Sequence, residues 1–179
     1  MQFVLENIVQ LKPIFKWNGN FKNKSRILVK GRDINCVIDG IFLDCCIEVF
    51  LYYLLIVSYH GRHDEKDCLF VYLLSKDGVL LDEVIIRVRF FEPIILPVGT
   101  DEYEADLNSY WGNLSNISLL PPNKIGFKFA NHFWEIEVFE KPLYSWSFFV
   151  FNKVDVSEDN ILLMRNNWQY KTYFKFTMI

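Results

Sequence analysis

Residues 59–68 read YHGRHDEKDC, and they hold the densest set of reactive side chains in the chain: His60, His63, Asp64, Glu65, Asp67 and Cys68. Imidazole, carboxylate and thiolate are the groups that bind zinc, and a zinc site needs three or four of them converging on one point. The spacing permits that. The stretch is also flanked by two of the longest apolar runs in the sequence, and Gly61 among charged residues has the composition of a solvated hairpin loop. No second Cys/His cluster lies elsewhere to close a site, so the segment reads as a loop that shows Asp64 and Glu65 to solvent and to a protein partner, with neither a metal nor a cofactor expected.

Other routes to catalysis find less support. The chain has no Gly-x-Ser-x-Gly elbow and no phosphate loop, and its third histidine, His132, stands where a strand is expected to begin. Glu135 and Glu137 would share a strand face at about 7 Å, which any polar strand face provides. These absences weigh against an enzyme. Residues 1–32 carry seven basic groups against Glu6 alone, interleaved with Phe15, Trp17 and Phe21. That could stack bases and track phosphates, but a net charge of −3 favours plain solvated lysines.

Residues 101–106 hold four acids and no base. In TDEYEADLNSYWGN, Asp101 and Glu104 resemble a capping box, Tyr103, Leu107 and Trp111 recur at four-residue steps, and Gly112 stands where a helix would stop. One short acidic helix is expected near residues 101–111. Glu102, Glu104 and Asp106 beside Tyr103, Tyr110 and Trp111 would combine steering charge with rigid aromatic contact area for a basic protein partner. The same Tyr103, Leu107 and Trp111 stripe would serve equally to pack the helix on a sheet.

The elements that must position these residues are strands. Alanine occurs only at Ala105 and Ala130, while phenylalanine occurs 17 times, which favours β structure over helix. Val84, Ile86, Val88 and Phe90 alternate with Glu83, Arg87 and Arg89, the pattern of a half-buried strand with one face polar, and Trp134, Ile136 and Val138 alternate with Glu135 and Glu137. Asp77-Gly78 between apolar runs is a hairpin turn. Lys141-Pro142 reads as another turn, before a strand at Tyr144–Val150. A last strand spans Tyr170–Met178. The run Ile47–Val57 is about half of the roughly 20 residues a membrane helix needs, and reads as one buried strand. Short turns and no repeated helical pattern predict an all-β fold, mainly antiparallel, as a sandwich or a strongly curved barrel-like sheet.

At 179 residues the chain fits one domain, residues 1–179. Its hydrophobic content of 51% excludes a disordered chain. The start, MQFVLENIVQLKP, lacks the basic and apolar pattern of a secretion signal, so a cytoplasmic protein is expected. Cys45 and Cys46 are adjacent and would point to opposite faces of a strand, which suits buried thiols in a reducing compartment, and leaves the sequons at Asn23, Asn113 and Asn116 accidental.

The acidic, aromatic stretch DEYEADLNSYW, in a single-domain chain without catalytic motifs, resembles in profile the bacterial immunity proteins, the antidotes to contact-dependent and related toxins. The resemblance implies inhibition by occlusion, in which carboxylates take the place of an anionic substrate and aromatics anchor a cognate basic toxin, such as a nuclease. Neither nucleic acid nor membrane is an expected partner. A different reading makes the surplus aromatics, among them Tyr52, Trp134, Trp146 and Phe148, the lining of a ligand cavity inside a sandwich or barrel. A structural or accessory protein of a phage or mobile element is a third.

Overall fold

A computed structural model of the protein describes residues 1–5, 7–14, 24–59, 68–88, 114–129, 132–144, 153–156, 161–164 and 171–179. The strands there, in chain order, are β1 (Gln2–Phe3), β2 (Val9–Ile14), β3 (Lys24–Val29), β4 (Arg32–Asp39), β5 (Phe42–Val49), β6 (Tyr52–Tyr59) and β7 (Cys68–Ser75). They continue as β8 (Leu80–Val88), β9 (Ser115–Leu120), β10 (Lys124–Phe129), β11 (His132–Tyr144), β12 (Lys153–Val156), β13 (Ile161–Met164) and β14 (Lys171–Met178). All pairings are antiparallel, in a seven-stranded sheet β1-β5-β6-β7-β8-β13-β12, a four-stranded sheet β14-β11-β10-β9 and a three-stranded sheet β2-β3-β4. The fold is all-β. No helix occurs among the described residues, and the helix expected near 101–111 lies outside them.

Strands β6 and β7 are buried almost throughout, which requires cover on both faces of the seven-stranded sheet. Leu54, Ile56, Leu69, Val71 and Leu73 join Ile125, Phe127, Trp134, Ile136, Val138 and Phe174 of the four-stranded sheet in one apolar cluster. Their neighbours Leu55, Val57, Phe70, Tyr72 and Leu74 point the other way and join Val9, Ile27, Val29 and Ile38 of the three-stranded sheet in a second. The two-residue period of a strand thus serves two cores at once. Each fully buried aliphatic side chain contributes about 1.5–3 kcal/mol. Cys45 packs against the first cluster and Cys46 lies in the second, opposite faces as expected.

Polar side chains fasten the sheets together. The Tyr72 hydroxyl donates to the Asp39 carbonyl at 2.9 Å and accepts the Asp39 N–H at 3.1 Å, joining β7 to β4. Asp82 of β8 accepts the Thr172 hydroxyl at 2.8 Å and the Tyr173 N–H at 2.7 Å, joining the seven-stranded sheet to β14. Gly40 follows β4 at φ 98°, and a Cβ there would stand 2.4 Å from a Val57 methyl, so no other residue fits without displacing the core.

The Asp77-Gly78 hairpin is present between β7 and β8, with Gly78 at φ 86° and the Gly78 N–H donating to the Ser75 carbonyl at 2.9 Å. Three expectations need correction. The run Ile47–Val57 is a hairpin and not one strand: Val49 pairs with Tyr52, leaving Phe50-Leu51 as the loop. Lys141-Pro142 is no turn, because β11 continues to Tyr144. Its pairing with β14 jumps from Val138↔Phe174 to Leu143↔Thr172, so extra residues are looped out in a bulge that places the proline off the regular ladder. On β8, Val84 and Ile86 face the first cluster as expected, but the opposite face also buries Ile85, because the three-stranded sheet contributes to that side. Beyond β8, Arg89 and Phe90 lie outside the described residues, as does most of the strand expected at 144–150.

Candidate interaction surface

The partner-binding residues expected from sequence, Glu102, Tyr103, Glu104, Asp106, Tyr110, Trp111, Asp64 and Glu65, all lie outside the described residues. So do His60, His63, Asp67, Phe15, Trp17, Phe21, Trp146 and Phe148. Of the remaining candidates, His132 is half-buried at the start of β11. Glu135 and Glu137 project from the four-stranded sheet beside Lys124, whose ammonium donates to Glu135 at 2.8 Å and is raised in pKa by that hydrogen bond. On the three-stranded sheet, Lys24 meets Asp39 at 3.3 Å and Arg26 meets Asp33 at 3.1 Å, so each β3 base faces an acid of β4. Among the described residues no group of three or more His, Cys, Asp or Glu is placed to hold a metal.

The thiols are arranged for packing. Burial pushes the Cys45 thiol up to about 12, with Asp44 adding to the shift, and burial pushes Cys46 up to about 12 as well. A thiol at that value is protonated at neutral pH and is a poor nucleophile. Trp134 of the suggested ligand cavity is buried in the first cluster, and its indole N–H donates to the Phe129 carbonyl at 3.1 Å.

A different region gathers what an interface uses. The β5–β6 loop is two residues long, and its first residue, Phe50, has φ 53°. Two-residue loops with positive φ at that position favour glycine, because a Cβ there crowds the following carbonyl at a cost of about 1–2 kcal/mol. Here the position carries a bulky aromatic, 38% exposed, followed by Leu51, 72% exposed.

From the loop the surface continues along Tyr52. Its ring meets Tyr173 edge-on, with centroids 5.6 Å apart and planes at 73°, and its hydroxyl donates to the Glu140 carbonyl at 2.6 Å. That contact brings in the bulged end of β11, where Leu143 is 45% and Tyr144 73% exposed. The Tyr173 hydroxyl is raised in pKa by burial and then by its neighbours Tyr52 and Tyr144, and the Asp82 pin holds its backbone in place.

On the other face of the central sheet, beside Tyr53, charged groups pair with one another. Glu48 accepts hydrogen bonds from Lys76 and from the Gln2 amide, which hold its carboxyl below the ordinary glutamate value. Lys76 also lies 3.9 Å from the Tyr53 ring centroid. Asp77, Glu140 and Lys141 are exposed. Of this region sequence reasoning gave a site role to Tyr52 alone, as the lining of a cavity. Phe50-Leu51 has no turn residue, and only tertiary pairing brings Tyr52, Leu143, Tyr144 and Tyr173 together. Searches of family models, curated proteins and solved structures found no match to this chain.

Proposed function

We propose that this protein acts by binding another protein, as a cytoplasmic antidote of the immunity type that occludes a cognate basic toxin. The three sheets are read as layers of one sandwich, a rigid body in which the central layer packs on both faces. The observation that carries the binding reading is the display of Phe50, Leu51, Leu143 and Tyr144 at the surface, four of the twelve large apolar side chains exposed among the described residues. Large aromatics and leucine exposed beside paired charges match the centre and rim of protein interfaces. The acidic, aromatic sequence at 101–111 supports a basic partner through steering charge.

The test uses the product of the gene immediately upstream of this one. Co-expression of the present protein is expected to rescue cells from that product, and titration calorimetry of the purified pair is expected to show a complex that weakens as salt rises. The triple change Glu102→Ala, Glu104→Ala and Asp106→Ala is expected to lower the association rate most at low salt. Growth arrest unaffected by co-expression, together with no heat of binding, would refute the proposal.

A further inference from the structure

We draw no further inference here: the strongest candidate, the Arg87 guanidinium on β8 of the central sheet, whose shielded Nε meets no hydrogen-bond acceptor among the described residues, is one half-buried side chain opposite Cys68 and Leu162, and nothing in the structure shows what covers it.

Discussion

At the residue scale, burial decides what the reactive side chains do. Cys45 and Cys46 are thiols whose pKa rises to about 12 because ionisation would place charge against the apolar clusters on either side of the central sheet. A pKa raised on folding means the folded state holds its protons more tightly than the unfolded chain. The stabilisation is therefore complete below the ordinary thiol value near 9 and lost as pH climbs from there toward about 12. Tyr72, raised chiefly by burial, acts in the same direction at the alkaline end. Denaturant midpoints are expected to be level through pH 8 and to fall above pH 9, and iodoacetamide at pH 8 is expected to label Cys45 and Cys46 only after denaturant is added. Rapid labelling of the native protein at either position would contradict the burial argument. The opposed directions of this pair were legible in the sequence, because adjacency on a strand fixes them. The strain at Phe50 was not, since a positive φ at a residue that disfavours it is imposed by the pairing of Val49 with Tyr52.

At the element scale, a buried carboxylate fastens β8 to β14. Asp82 is 2% exposed and takes the Thr172 hydroxyl and the Tyr173 N–H on one oxygen, and the Glu83 N–H at 2.9 Å on the other. Asp82→Ala would leave buried donors without this acceptor, at about 3 kcal/mol or more. Hydrogen exchange at the Tyr173 amide is expected to quicken ahead of that at Val71 in the middle of β7. Equal acceleration at both would show that Asp82 supports the fold generally, without a local role at this joint. Periodicity found the strands that bear these residues, and Asp-Gly found the β7–β8 turn, because those signals are local. It failed at Ile47–Val57, where uninterrupted apolar residues conceal a hairpin, and at Lys141-Pro142, where a bulge absorbs a proline that elsewhere marks a turn. Asp82 gave no sign in the sequence of being an inter-sheet joint, since its partner strand lies about ninety positions away.

At the scale of the whole molecule, the seven-stranded sheet is the shared wall of two cores, and alternate residues of a single strand serve different ones. Leu55 of β6 lies in the cluster with β2–β4, and Ile56, the next residue, lies in the cluster with β10, β11 and β14. If either outer sheet detached, it would expose one whole face of β5–β8 to water, so the two cores are expected to melt together. Leu55→Ala and Ile56→Ala should each cost about 2–5 kcal/mol, and each should shift the same single transition. The check is hydrogen exchange under increasing denaturant, followed at amides of β3 on one side and β10 on the other. With either substitution the two sets should open with one common free energy; opening of β3 well below β10 in Leu55→Ala would mean that the three-stranded sheet folds as a separable unit.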